Sequence, residues 1–166
     1  MLPMRDQLLA TAMKFLEVQS AWDYNEMASI RTPNCCGTLM APSRKIYRPS
    51  DKLEGAMDEV KKVFKSFTFR LIEEDDMVID EVTKKVVMRV GGQAETTVGP
   101  YSNEWVFILT MTEDGKLVSD VKNMLDTVIL AELESRIQQS SKPYMPWLDH
   151  LTKEEVKGSA LHEACN

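Results

Sequence analysis

The spacing of apolar residues changes along this chain at Phe67, from a helical period of about 3.6 residues to a strand period of two. Helices followed by a run of strands make an α+β domain, because a sheet with an apolar face must bury it against something. Before the switch, Leu8, Leu9, Ala12, Met13, Phe15, Leu16 and Gln19 recur at helical spacing and predict an amphipathic helix over residues 4–19. A short second helix is expected over 22–30. It ends ahead of Thr32-Pro33, since the residue before a proline avoids helical angles. Residues 34–49, with Gly37, Pro42 and Pro49, read as irregular. Ser50 or Asp51 then caps a third helix reaching about Ser66, with Leu53, Ala56, Met57, Val60, Val63 and Phe64 on its apolar arc.

After the switch, strands are expected over 67–72, 77–80, 85–98, 101–112 and 116–125, and a helix over 127–138. Asp75-Asp76, Thr83-Lys84, Gly99-Pro100 and Glu113-Asp114-Gly115 mark the turns. Gly91-Gly92 inside a strand predicts a bulge or bend. In the strand from Tyr101, Trp105, Phe107, Leu109 and Met111 share one face and Val106 and Ile108 the other. A half-covered sheet alternates more cleanly. The outer face therefore calls for a cover, from the tail or from a second copy in a homodimer. The expected organisation is one domain over 1–138 and a tail over 139–166, whose Pro143, Tyr144, Met145, Pro146 and Trp147 pack over the pocket mouth or the partner.

Several function classes are excluded by composition. The net charge is −6 with no basic cluster, so the electrostatic footprint of a nucleic-acid binder is missing. No apolar run approaches the ~20 residues of a membrane span. Asp6 interrupts any signal-peptide core, and a cytoplasmic location is expected. Cys35, Cys36 and Cys165 match neither a disulfide framework nor a zinc site. No G-x-G-x-x-G or G-K-S/T run is present, so no cofactor is expected. The two histidines, His150 and His162, lie near the C-terminus, which leaves carboxylates, lysine, tyrosine or thiol for acid/base work in the domain.

Three helices followed by a curved strand meander, with a charged turn before the last strand and an aspartate closing it, resemble the cone-shaped domains of the SnoaL-like and ketosteroid-isomerase-like superfamily. The words Ser29-Ile30-Arg31-Thr32-Pro33-Asn34-Cys35, Pro42-Ser43, Gly99-Pro100-Tyr101-Ser102-Asn103-Glu104 and Asp114-Gly115-Lys116 are similar to the fungal non-oxidative isomerases and cyclases of meroterpenoid biosynthesis, the terretonin and austinol type. The resemblance covers about residues 5–138. It implies a curved antiparallel sheet wrapped around helices, a polycyclic small-molecule substrate, and proton transfer next to a carbonyl that sets off ring rearrangement or lactonisation.

Asp126 closes the last strand. If the face it shares with Lys122 and Met124 lines the cone, an apolar wall raises its carboxyl toward a useful base. The alternative is that Asp126 simply caps the helix after it. Lys52 and Glu59 lie two turns apart on one helix face, either reaching inward or flanking in solvent. The resemblance implies an acidic residue matching Glu59 and a basic one where Lys52 stands. It also implies a histidine where this chain has Gly37; Tyr101, Cys36 or Lys52 are the substitutes. Tyr101 and Glu104 open the central strand, and a tyrosine hydroxyl suits a developing enolate oxygen. Met40 and Met124 are among eleven methionines suited either to core filling or to an adaptable pocket. Arg31 reads as a structural tie for the loop. Two further readings stand beside the isomerase: a non-catalytic ligand-binding or dimeric interaction domain on the same scaffold, and a dehydratase of small phenols, which would want a histidine in the hollow.

Overall fold

The computed structural model describes residues 2–41, 44–49, 53–73 and 77–140. The Asp75-Asp76 turn, the Ser50/Asp51 cap, Lys52, both histidines and the tail from 141 onward lie outside them. Helix α1 spans Met4–Ala21 and buries Leu8, Thr11, Ala12, Phe15, Leu16 and Val18, the arc expected from its spacing. Trp22 ends it in the left-handed conformation (φ 57°), which costs a non-glycine residue energy. Trp22 recovers that cost by packing its ring on Phe64 and Phe67, with centroids 6.1 Å from each. Asp23 caps α2 (Tyr24–Ser29), its carboxylate accepting from Glu26 N at 3.1 Å.

Among the described residues seven strands follow in one sheet: β1 (Arg31–Ala41), β2 (Arg44–Pro49), β3 (Phe64–Leu71), β4 (Val78–Asp80), β5 (Lys85–Thr96), β6 (Gly99–Met111) and β7 (Val118–Leu125). Helix α3 (Leu53–Lys61) sits between β2 and β3, and α4 (Thr127–Gln139) follows β7. The sheet order is β2-β1-β7-β6-β5-β3, with β4 added beside β5. It is a curved, unclosed sheet of the SnoaL-like α+β kind. Its neighbours run antiparallel except β1 and β7, which run parallel.

Three sequence expectations are corrected. The segment 34–49 is not irregular but a strand pair, β1 with β2. Pro33 is tolerated there because the β1–β7 register shifts between Arg31 and Cys36, where a missing amide hydrogen breaks no ladder bond. Helix α3 stops at Lys61, and Val63 and Phe64 belong to the strand side. A short apolar run fits either period, and Phe64 is claimed by its pairing with Thr96. The Gly91-Gly92 pair makes no bulge, since register with β3 and β6 runs unbroken through both.

Gly92 answers a packing demand instead. A Cβ there would lie 2.4 Å from Trp105 Cζ3 and 2.9 Å from Phe67 Cε1. Two rings thus close over bare backbone. Helix α1 crosses this concave face and is tied down by Thr11 Oγ1, which donates to Gly115 O at 2.6 Å, and by Ser20 Oγ, which accepts from Phe69 N at 3.0 Å.

Gly92→Ala should destabilise the protein by about 1–3 kcal/mol, the usual cost of overpacking. Gly91→Ala should stay within about 0.5 kcal/mol of wild type, because its Cβ would meet nothing closer than 3.6 Å. Urea unfolding of the two single variants checks the contrast, and equal midpoints would refute it.

Candidate active site

Strand alternation decides what faces the hollow. Tyr101, Asn103, Trp105, Phe107, Leu109 and Met111 of β6 are all buried. Their partners are Ala94, Gly92, Val90 and Met88 on β5, and Leu125, Asn123 and Val121 on β7. Helix α1 contributes Phe15 and Gln19, α3 contributes Met57 and Val60, and α4 contributes Leu130. Between them lies a cavity of about 250 Å³. Its walls are rings in edge and tilted contact, Phe67 on Trp105 at 5.6 Å and Phe69 on Trp105 at 5.3 Å among them. Such contacts add about 0.5–1.5 kcal/mol per pair beyond burial, which holds the walls in place.

The polar groups of this cavity are few. Tyr101 is 5% exposed, and its hydroxyl accepts from Asn103 Nδ2 at 2.9 Å. An acceptor site is therefore spent while the hydroxyl's own proton is left to give. Burial pushes the Tyr101 phenol above its ordinary pKa, Asn103 opposes the shift, and the Asp126 charge adds to it. Tyr101 thus stays protonated at neutral pH and can act as a donor or acid. Arg31 also lines the cavity, its guanidinium 5.4 Å from the Phe15 ring centroid. Its Nε is buried without a partner, and burial pulls its pKa below the ordinary value. Gln19 Nε2 is likewise buried and unpartnered. Asn123 completes the polar set.

Asn103 is 3% exposed and uses all four of its hydrogen-bonding positions. Nδ2 donates to the Tyr101 hydroxyl and to Asp126 O, each at 2.9 Å. Oδ1 accepts from Glu104 N at 2.8 Å and Asp126 N at 3.2 Å. The amide thereby fixes the phenol and the start of α4 together.

Of the residues singled out from sequence, the cavity receives Tyr101. The Asp126 carboxylate caps α4, accepting from Val128 N at 2.8 Å and Ile129 N at 3.4 Å, and the residue is exposed. Its neighbour Leu125 is the one that faces inward. Glu59 is half-buried and paired with Lys62, between the lining residues Met57 and Val60. Lys52 lies outside the described residues. Lys122 and Met124 do share a face, but it is the outer one: Val121, Asn123 and Leu125 claim the inside of β7. Glu104 is also outside, gripped by Arg89 at 2.8 Å. Cys36 and Met40 alternate out of phase with the lining residues Gly37 and Leu39 of β1. The carboxyl that burial does raise is Asp120, outside and beside Lys122.

Arg31, Gln19, Asn103 and Asn123 were the groups missed. Arg31 had read as a loop tie, but β1 carries it inward. Two signals could have found Gln19 and Asn123. Gln19 is a polar residue inside an apolar helical stripe, and Asn123 is one between two inward apolar positions of a strand. Among the described residues no cluster of His, Cys, Asp and Glu could hold a metal ion, and no helix is long and apolar enough to cross a membrane.

No protein-family model matches the chain. It is 36% identical over 135 residues to austinoid biosynthesis clusters protein F of Penicillium brasilianum, covering 81% of this chain and 89% of that protein. The structure of PrhC, also from Penicillium brasilianum, superposes with a TM-score of 0.80 at 30% identity, covering 82% of this chain and 91% of PrhC. BvnE pinacolase from Penicillium brevicompactum gives 0.78 at 25% identity, over 84% and 97% of the two chains. At 12% identity a SnoaL-like chain from Shewanella denitrificans shares the fold alone, with a TM-score of 0.64 over 84% of this chain and 100% of that one.

Asparagine caps helices as well as aspartate does, whereas alanine does not. Asp126→Ala should therefore cost about 1 kcal/mol of stability and Asp126→Asn close to none. Thermal melts of the two variants measure this, and equal losses would show that the cap is not what the carboxylate contributes to the fold.

Proposed function

Because this chain belongs to the family of the austinoid biosynthesis cluster proteins, we propose that it is a cofactor-free isomerase or cyclase of fungal meroterpenoid biosynthesis. It would rearrange rings or close a lactone on a polycyclic ketone or ester by acid/base chemistry. The observation that carries this reading is the cavity: aromatic walls suited to a polycyclic skeleton, with donor-bearing Tyr101, Arg31 and Gln19 among its lining residues.

The chemistry follows from what those donors can hold. A substrate carbonyl oxygen accepts a hydrogen bond from the Tyr101 hydroxyl, with Arg31 lining the same cavity. When a base removes the proton from the adjacent carbon, the C–H electron pair becomes a C=C bond and the negative charge moves to that oxygen. Donors placed there beforehand stabilise it without reorganising. Returning the proton to another atom leaves the mass unchanged. Asp126 and Glu59 are the proposed bases, with Lys52 as a polar anchor. What supports Asp126 is its electrostatic reach to Tyr101 and its place one residue beyond inward-facing Leu125. Lys122, Glu104, Met124, Met40 and Cys36 face away from the cavity and stand outside the proposed substrate contacts. A homodimer is part of the same reading, supported by the apolar, half-buried Val106 and Ile108 on the outer face of β6.

One observation favours the carrier alternative. Among the described residues no Asp or Glu lines the cavity, and a carrier needs only the hollow.

Incubation with polycyclic meroterpenoid ketones and esters, followed by mass-neutral product analysis, separates the two readings. Conversion is the expected result; binding without conversion across the panel would establish the carrier. Tyr101→Phe should lower kcat about a hundredfold, the typical loss for one such donor. Asp126→Asn, which keeps the cap, should lower kcat more than Glu59→Gln. Unchanged turnover in both carboxylate variants would remove them as bases.

A further inference from the structure

Arg31 Nε and Gln19 Nε2 are buried side-chain donors without acceptors, and both belong to residues lining this one cavity. Native proteins pair the great majority of such groups, so two in one hollow point to a missing acceptor. Both stand beside Phe15. Arg31 lies over the Phe15 ring, and Gln19 is one helical turn beyond Phe15 on α1. The guanidinium carries a permanent charge, and among the described residues it has no ion pair and no carboxylate lines the cavity. Arg31 is half-buried, and contact with one ring face offsets only part of the cost of withdrawing that charge partly from water.

We propose that the ligand of this cavity presents a delocalised two-oxygen anion, a carboxylate or the enolate of a 1,3-dicarbonyl, to Arg31 Nε and Gln19 Nε2. The inference deepens the isomerase reading and rests on it for the identity of the site. A neutral ketone could accept a hydrogen bond from each donor but would leave the guanidinium charge uncompensated among rings. An anion spread over two oxygens supplies one acceptor per donor and the opposite charge as well. A 1,3-dicarbonyl does so on losing the proton between its carbonyls, the C–H pair delocalising over both oxygens.

Two probe pairs test this by calorimetry and by quenching of Trp22 and Trp105, which line the cavity. The first is adamantane-1-carboxylate against its methyl ester. The second is 5,5-dimethylcyclohexane-1,3-dione, an anion near neutral pH, against its methyl enol ether. At least one anion should bind about tenfold or more tightly than its neutral partner, the usual worth of a charged hydrogen bond. The pair with the larger preference identifies the source as carboxylate or enolate. Arg31→Gln should abolish the preference without lowering the melting temperature, because it removes a half-buried charge that has no ion-pair partner among the described residues. Gln19→Leu should weaken the anion severalfold. Neutral partners binding as tightly as anions, or a preference that survives Arg31→Gln, would overturn the proposal. Should Arg31→Gln fail to fold, unchanged anion binding in Gln19→Leu overturns it alone. Turnover of the meroterpenoid panel without any anion preference would sink this inference and leave the isomerase; anion preference without turnover would do the reverse.

Discussion

The inward row of β6 is the constraint from which the rest of the structure follows. Six alternate residues from Tyr101 to Met111 are buried along one face of a thirteen-residue strand. A one-residue slip in register would turn all of them outward, so the pairing with β5 and β7 is fixed by their burial. Full burial of such side chains is worth about 1.5–3 kcal/mol each. The neighbours answer it position by position: Val90 opposite Trp105, Met88 opposite Phe107, Val121 opposite Leu109. Once the row faces inward, α1 must cross it, and Phe15 meets Phe107 edge-on at 5.6 Å.

The same row explains why a hollow remains. Rings are rigid and prefer edge and offset contacts, so Phe64, Phe67, Phe69, Trp105 and Tyr101 lean on one another instead of collapsing into the centre. Gly92 lets Phe67 and Trp105 approach the strand itself. The space this opens is apolar nearly all round, which gives the few polar groups left in it a strong influence on what binds.

Much of this architecture was legible in the sequence. Alternation in β6 was unmistakable because one face is nearly all large and apolar, and turn residues marked β5, β6 and β7 to within a few positions. Strand β1 was hidden because its inward residues are Cys35, Gly37 and Leu39, too small and too mixed to show a period, with Pro33 arguing against a strand. The site was read less well. Period two correctly grouped Lys122 with Met124 but could not say which face of β7 they occupy; that depends on partners across the sheet. Asp126 stood at the junction of strand and helix, where its two readings, base and cap, draw on the same residue type. The structure gives it the cap. Arg31 was discounted because a charged residue beside an apparent loop suggests an exposed tie. Nothing local signals that its strand carries it against Phe15.

Asn103 has a consequence for how such a protein can vary. Its amide gives two hydrogens and receives two, and each goes to a different group. Aspartate would offer oxygen where two donors are required, leucine would leave all four groups without a mate, and serine is too short to span them. The rings around the hollow can be exchanged for others of similar bulk and the chamber reshaped for a different skeleton. Position 103 allows no such drift, and inherited change in this scaffold should accumulate around it while sparing it.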